Sequence, residues 1–469
     1  MGAGSFAALE TDAPAPGAPP RGNLAALIAL AAPIAVSQVA QSALGFIDTV
    51  MVGRLGAVPL AAVALGVTLH YAMLLFAFGA VLGVGPLASQ AHGAGDARDV
   101  ARYTRQGLWL ATLLTPLIMG VEYASPYWLG YLGQDAAVAA LAGEYLRAVM
   151  WTVWPFLAFA ALRAWLEAIG RPEPVTVIAV TAVGVNVVAN LALIFGYFGA
   201  PALGAVGAGY ATAISYTYFF VAGAGYVLSR PGLRAYRVLD RWRAPDPAYL
   251  RELLRVGLPM GVSFALEAGF FTATGVLVGT LGANSLAAHQ IGLQMVSLSF
   301  MLPLAVSMAT AVRVGNLVGA ARAAAARRSG WLGIVLGVGM MTVSALVYVT
   351  FPEVVVALFL GAGEAAAGPD AAAEREAVGA IAVQLLFVAG VFQVFDGAQS
   401  VASGALRGLK DTFWPMVIAS VSYWVIGLGT GYYLMGAYGA PGLWGGLVAG
   451  LVAASTALLW RWRRLSSRI

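Results

Sequence analysis

Three carboxylates stand deep inside long apolar runs, and they are the residues best placed to do chemistry: Asp48, Glu267 and Asp396. A charged side chain in the middle of a membrane helix costs about 2.5–3.5 kcal/mol on insertion scales, so few persist without a role. Taken out of water, a carboxylate is neutralised by a proton or by a bound cation. Such a group can take up H+ on one side of a membrane and release it on the other. With carbonyl, Asn or Thr oxygens added, the same cage suits Na+, and the sequence does not choose between the two ions. At about 1.5 Å rise per residue, Glu267 (counted from Val256) and Asp396 (counted from Arg407) both lie roughly 16 Å from the inner border. Asp48, counted from Arg54, and Asn190, counted from Gly196, lie roughly 9 Å below the outer border. Thr212, in the sixth apolar run, reaches the level of Asp48 and Asn190. Two candidate cation sites result, one in each half of the chain: Asp48 with Asn190 and Thr212, and Glu267 with Asp396. Kinks are expected at Pro33, Pro155, Pro259 and Pro303.

The elements that hold these groups must be membrane helices. The 469 residues are 60% apolar and only 10% charged, with a mean hydropathy of +0.83. Soluble domains carry about 25% charged residues, so lipid is the solvent for most of this chain. A soluble enzyme, a disordered scaffold and a disulfide-stapled secreted protein are all excluded. With no cysteine there is no thiolate metal site and no cysteine nucleophile. The single lysine, Lys410, follows Leu409, so no phosphate-binding G-x-x-x-x-G-K-[ST] loop exists.

Twelve apolar runs are long enough to span, each needing about 20 residues. They fall near 24–53, 60–88, 105–125, 142–166, 174–198, 203–228, 256–281, 286–312, 330–360, 378–404, 413–436 and 441–462. The net charge of +5 is spread over the short loops between them, which argues against a nucleic-acid-binding face. Arginines concentrate in the loops that follow the even-numbered runs and at the chain ends, while the opposite loops hold only Arg54, Arg147 and Arg375. The positive-inside rule then puts both termini in the cytoplasm. Residues 1–22, with Pro14, Pro16, Pro19 and Pro20, read as a disordered cytoplasmic tail, and no cleaved signal peptide is expected.

An internal repeat organises the rest. A shift of 226 puts Pro33 on Pro259, Leu60-Ala61-Ala62 on Leu286-Ala287-Ala288, Gly93 on Gly319 and Arg102 on Arg328; later, a shift of 240 puts Gly199-Ala200-Pro201 on Gly439-Ala440-Pro441. The difference fits extra residues in the outer loop from Glu364 to Glu376. The expected domains are an N-lobe of helices 1–6 (23–228), a basic cytoplasmic linker (229–255) and a C-lobe of helices 7–12 with a short basic tail (256–469). An even number of helices per half makes the repeat parallel. The carboxylates are not duplicated: Asp48 falls on Thr274, Glu267 on Gln41 and Asp396 on Phe156. A merely structural polar contact would more easily have been kept in both halves.

Other polar residues have plainer readings. His70 and His289 are expected to pack helices or line a cavity, since no metal-binding spacing surrounds them. Gly204-x-x-Gly207-x-Gly209 opens a membrane helix, where glycines serve close packing. Trp128, Trp331, Trp460 and Trp462 are expected at membrane interfaces. Tyr71, Phe76, Phe270, Phe271, Tyr423 and Trp424 fit either core packing, the preferred reading, or a cavity wall, and Gln41, Tyr71, Phe271 and Phe392 are the candidates for lining a substrate cavity.

The stretch Pro33…Gln38…Gln41…Gly45-Phe46-Ile47-Asp48-Thr49-Val50-Met51-Val52-Gly53-Arg54-Leu55-Gly56 resembles the first-helix signature of the multidrug and toxic compound extrusion (MATE) family, NorM-type branch. The resemblance continues in Gly257-Leu258-Pro259, Glu267, Ala287-Ala288-His289-Gln290 and Arg313-Val314-Gly315. It extends through Gln393-x-x-Asp396-x-x-Gln399 to Gly408-x-Lys410-Asp411-Thr412, covering residues 24–463. It implies an all-α polytopic membrane protein of twelve helices in two six-helix lobes around a V-shaped cavity. It also implies antiport of bulky, mostly cationic compounds against Na+ or H+, with no cofactor. Glu267 and Asp396 match the family's second-lobe cation site, and Asp48 with Asn186 and Asn190 the first-lobe site. Some Na+-coupled relatives have Tyr where this chain has Phe392, which removes an oxygen from a second-lobe Na+ site and leaves H+ coupling open. Arg407 and Lys410 are expected to serve topology or gating. The expected setting is the cell inner membrane, as a monomer, with lipid and small organic cations as partners. A flippase for lipid-linked precursors would favour a cationic cavity, and no arginine or lysine lies mid-span. A membrane-embedded enzyme would need a nucleophile–base pair or metal cluster at one depth, and none appears. A channel fits the unequal carboxylates less well than coupled exchange does.

Overall fold

The computed structural model describes residues 23–133, 135–239, 245–360 and 369–469. The tail 1–22, residues 240–244 of the linker and residues 361–368 of the Glu364–Glu376 loop lie outside the described residues. Within the rest, the long elements are helices: α1 Asn23–Gly53, α2 Ala57–Gly93, α3 Ala97–Tyr123, α4 Ala136–Ala168, α5 Glu173–Phe195, α6 Ala205–Ser229, α7 Pro247–Gly279, α8 Ala283–Gly319, α9 Ala323–Thr350 and α10 Pro369–Gly408. The last helical stretch, Phe413–Ser466, is 54 residues long and breaks at Gly439, whose φ of 62° is left-handed and costs glycine least. Pro441 follows the break. The two arms are α11 (413–438) and α12 (440–466). Ten helices among the described residues are long and apolar enough to cross a membrane, and α3 passes together with its continuation Ser125–Tyr131, bent by 47°. Counting α11 and α12 separately gives twelve crossings. Helices are the expected solution because each satisfies its own backbone in lipid.

The helices outrun the apolar runs that announce them. α7 begins at Pro247, inside the basic stretch 229–255, because Asp246 caps it: its carboxylate accepts from the Ala248 N–H at 3.1 Å, and Pro247 supplies a preset φ at the first turn. The run 330–360 divides at Phe351 into α9 and a short helix, Pro352–Leu360, since proline cannot continue the hydrogen-bond ladder.

The described residues form two compact units. The first holds α1 to α6, α7 as far as Gly261, and Gly315–Ala321; the second holds Val262–Val314 and Arg322–Ile469. In the first unit, backbones touch where side chains are absent. A Cβ on Gly257 would stand 2.0 Å from the Ala80 carbonyl oxygen, and one on Gly79 2.4 Å from the Gly261 Cα. Such approach is how helices gain packing energy in lipid. Gly207 likewise lies on the Leu193 carbonyl, so the glycines at the start of α6 serve α5–α6 packing. The core of the second unit gathers Phe270, Phe392, Tyr423 and Trp444 from α7, α10, α11 and α12.

Candidate cation sites

In the first unit, α1, α5 and α6 bring four polar side chains to one point. Asn186 and Asn190 stand one turn apart on α5 and so share a face. Both amide nitrogens donate to Asp48 Oδ1, at 3.1 Å and 2.6 Å, and the Thr212 hydroxyl donates to Asp48 Oδ2 at 2.8 Å. Asn190 Nδ2 also donates to Asn186 Oδ1 at 3.1 Å. Asp48 is 7% exposed, and both asparagines are fully buried. Every donor to this carboxylate is neutral, so its negative charge has no fixed counter-charge in the cage. Asn190 Oδ1 is buried with no hydrogen-bond partner. Turning that amide over presents an oxygen to Asp48, which a protonated carboxyl can donate to. The oxygens of Asp48, Asn186, Asn190 and Thr212 are also a fitting donor set for a monovalent hard cation. Among the described residues, no group of three or more His, Cys, Asp or Glu suits a multivalent metal.

Three tyrosines, Tyr71, Tyr145 and Tyr216, lie within electrostatic reach of Asp48. Tyr145 and Tyr216 are buried, whereas Tyr71 is 45% exposed. Gln41 takes no part in the cage; its amide donates to the Ser37 carbonyl of its own helix at 3.1 Å.

The second unit assembles a different group. Asp396 on α10 is 4% exposed and faces the charge of Glu267 on α7, which in turn faces Arg407 near the end of α10. Tyr423 interacts with all three. It sits in a widened turn, 421–427, where α11 takes i→i+5 bonding, a departure often found at functional sites. Its ring stacks on Phe270 with centroids 5.2 Å apart, and its buried hydroxyl has no hydrogen-bond partner among the described residues. Arg407 also covers the Phe264 ring at 5.2 Å. Phe392 is fully packed, 6.2 Å from Phe271 and 6.3 Å from Trp444 by ring centroids. Trp444 Nε1 donates to His289 Nδ1 at 3.0 Å, which explains that histidine as part of the packing.

Two buried polar clusters join partners that the sequence does not bring together, although His70 itself is expected to pack helices or line a cavity. His70 bridges Glu122 and Thr152, with Nδ1 2.7 Å from Glu122 Oε1 and Nε2 2.9 Å from the Thr152 hydroxyl. Arg163 donates to Glu167 Oε1 at 2.7 Å and to Gln38 Oε1 at 2.8 Å, all within the first unit. Glu122 and Glu167 fall at the margins of apolar runs, where a carboxylate reads as interfacial. The one available signal was the Arg163–Glu167 spacing of four, which puts the pair on one helix face.

A model of the MatE family matches residues 33–192 and 259–433. The chain is 39% identical over 464 residues to the probable multidrug resistance protein NorM of Mesorhizobium japonicum, covering 98% of this chain and 97% of that protein. It is 38% identical to the protein of that name from Deinococcus radiodurans, covering 96% and 97%. Among solved structures it is similar to the eukaryotic MATE transporter AtDTX14, with a TM-score of 0.83 at 20% identity over 95% of this chain and 98% of that one. A multidrug resistance MATE family transporter in an outward-facing conformation gives a TM-score of 0.83 at 22% identity over 96% and 97%. The twelve crossings are thus those of the MATE fold, two lobes of six helices. With the family model matched in both halves of the chain, the chain belongs to the MatE family of membrane transporters.

Proposed function

We propose that the protein is a secondary multidrug antiporter that exports bulky, mostly cationic organic compounds in exchange for Na+ or H+ across the cell inner membrane, with both termini in the cytoplasm. The observation that carries this reading is the Asp48 cage: a buried carboxylate surrounded by neutral donors and lacking a fixed counter-charge. It invites a mobile cation from one side and releases it to the other as the lobes rock in alternation. The related NorM proteins are named for multidrug resistance, which supports export of drug-like compounds. Moving one charge through 100 mV yields about 2.3 kcal/mol, enough to sustain roughly a fiftyfold gradient of a neutral compound per cation. Glu267 and Asp396 form the second place where such an ion can act, with Arg407 and Tyr423 setting the local field. Tyr71, 45% exposed, offers an aromatic face to an organic cation.

The reading is tested in cells that lack other efflux pumps. Expression of the wild-type chain is expected to lower ethidium accumulation, and Asp48→Asn is expected to restore it while reaching the membrane in equal amount. Unchanged efflux by that variant would remove the cage from the mechanism.

A further inference from the structure

His70 on α2 lies between Glu122 on α3 and Thr152 on α4, with Nδ1 2.7 Å from Glu122 Oε1 and Nε2 2.9 Å from the Thr152 hydroxyl. Glu122 and Thr152 are fully buried and His70 nearly so. A carboxylate only accepts, so Nδ1 carries a hydrogen and Nε2 is the ring atom left to gain or lose one. The hydroxyl serves both states, donating to a bare Nε2 and accepting from a protonated one. With Nε2 bare the pair carries one negative charge in a site closed to water; with Nε2 protonated the two charges cancel. Glu122 Oε2 is buried with no hydrogen-bond partner among the described residues, so no further donor steadies that carboxylate. The buried Arg163–Glu167 pair differs, because a guanidinium does not give up its proton.

The repeat shows that packing does not by itself call for this pair. By the shift of 226, Glu122 falls on Tyr348 and His70 on Val296; by the shift of 240, Thr152 falls on Phe392. The second half thus fills all three places with neutral groups. Tyr348 donates to the Met295 carbonyl at 2.8 Å and meets the Ser299 hydroxyl. Neutral groups commonly replace a buried ion pair at no cost in stability, so an imidazole–carboxylate pair kept in one half points to a use beyond packing.

The cluster also grips α4 at an irregular place. Thr152 ends a 3₁₀ turn, Met150–Thr152, three residues before Pro155, and such a turn within a helix often marks a hinge. Charged and titratable groups from four helices surround the pair. Tyr71 of α2 meets the imidazole edge-on, with ring centroids 5.9 Å apart, and interacts with Tyr216 of α6. Tyr145 of α4 lies within electrostatic reach of both Glu122 and Asp48 of α1. Arg147 of α4 is turned onto Tyr123, bonding its carbonyl at 3.2 Å and covering its ring at 4.9 Å. That cation is engaged beside Glu122, and the imidazole remains the partner within bonding distance of the carboxylate.

We propose that His70 and Glu122 form a proton-binding site of the first unit, separate from the Asp48 cage. H+ from water adds to His70 Nε2, no covalent bond between heavy atoms breaks, and the hydrogen bond to Thr152 reverses direction at the hinge turn of α4. The site shares no residue with the cage, so it stands whether or not Asp48 carries the coupling ion.

The test is NMR of the full-length protein in lipid bilayers, with nitrogen-15 in the histidine rings. The chain has three histidines, and replacing the exposed one as His92→Gln leaves His70 and His289. His289 Nδ1 accepts from Trp444 and so carries no hydrogen. In this background one ring is expected to show both nitrogens protonated at about pH 5 and one bare nitrogen at about pH 9. Adding His70→Gln is expected to remove the signals of that ring. Adding Glu122→Gln is expected to leave the ring with a bare nitrogen at every pH in the range, since a buried imidazolium has then lost its counter-charge. Asp48→Asn is expected to keep the two-state titration. A ring that holds one state throughout, a titration that survives Glu122→Gln, or one that disappears in Asp48→Asn would overturn the proposal. Should Glu122→Gln fail to fold, the His92→Gln protein still decides, because a His70 ring fixed in either state contradicts the site.

Discussion

Asn190 on α5 donates a hydrogen bond of 2.6 Å to Asp48 on α1, and Asn190's own carbonyl oxygen is buried without a partner. That one contact carries both halves of the proposed ion cycle. As drawn, the amide steadies a charged carboxylate; turned over, its oxygen accepts from a protonated one or joins a cation's shell.

Asn190→Ala should therefore shift the affinity for the coupling ion without abolishing insertion. Losing a hydrogen bond to a charged group costs about 1.5–3 kcal/mol, or roughly 10- to 150-fold in affinity. The expected result is a shift of at least tenfold in the coupling-ion concentration that half-saturates dye efflux at fixed dye concentration: downward for H+, because the charged carboxylate loses a donor, and upward for Na+, because the cation's shell loses an oxygen.

In the second unit, Glu267→Gln and Asp396→Asn preserve volume but remove exchangeable charge. Each is expected to reduce efflux to the level of cells without the transporter, with normal membrane content by immunoblot. Wild-type efflux by both would confine coupling to the Asp48 cage.

The Arg163–Glu167 pair, 2% and 3% exposed, offers a stability test that does not touch the cation sites. Breaking a buried pair from one side costs about 3–5 kcal/mol, because the remaining charge is stranded. Arg163→Leu alone is expected to lower the detergent-melting midpoint by several degrees, and adding Glu167→Leu is expected to recover most of it. A double variant no more stable than Arg163→Leu would show that Gln38 is the partner that matters.

Gly257→Leu meets the Ala80 carbonyl at once, since even a Cβ would stand 2.0 Å away. Little folded protein is expected on size-exclusion chromatography. Gly45→Ala, where a Cβ meets nothing within 4 Å, is the matched control and is expected to elute as wild type.

Much of this was legible beforehand because lipid leaves few alternatives. Apolar runs and positive-inside arginines mark the spans, and depth counting along α1, α5 and α6 brought Asp48, Asn190 and Thr212 to one level before any contact was known. Helix ends were less legible, because a cap such as Asp246 extends a helix beyond its apolar part. Depth alone also says nothing of azimuth. It cannot show that Gln41 turns back on its own helix, or that Tyr423 reaches Glu267 and Asp396 from a widened turn. Buried pairs such as His70–Glu122 stay hidden for the same reason: their partners lie on different helices, 52 residues apart.

The most direct test uses purified protein in liposomes loaded with ethidium, energised first by an imposed Na+ gradient and then by a pH gradient. Dye movement driven by one of these gradients, and lost in Asp48→Asn, is the expected result and names the coupling ion. Dye movement that ignores both gradients, or that persists in Asp48→Asn, would contradict cation-coupled exchange through the Asp48 cage.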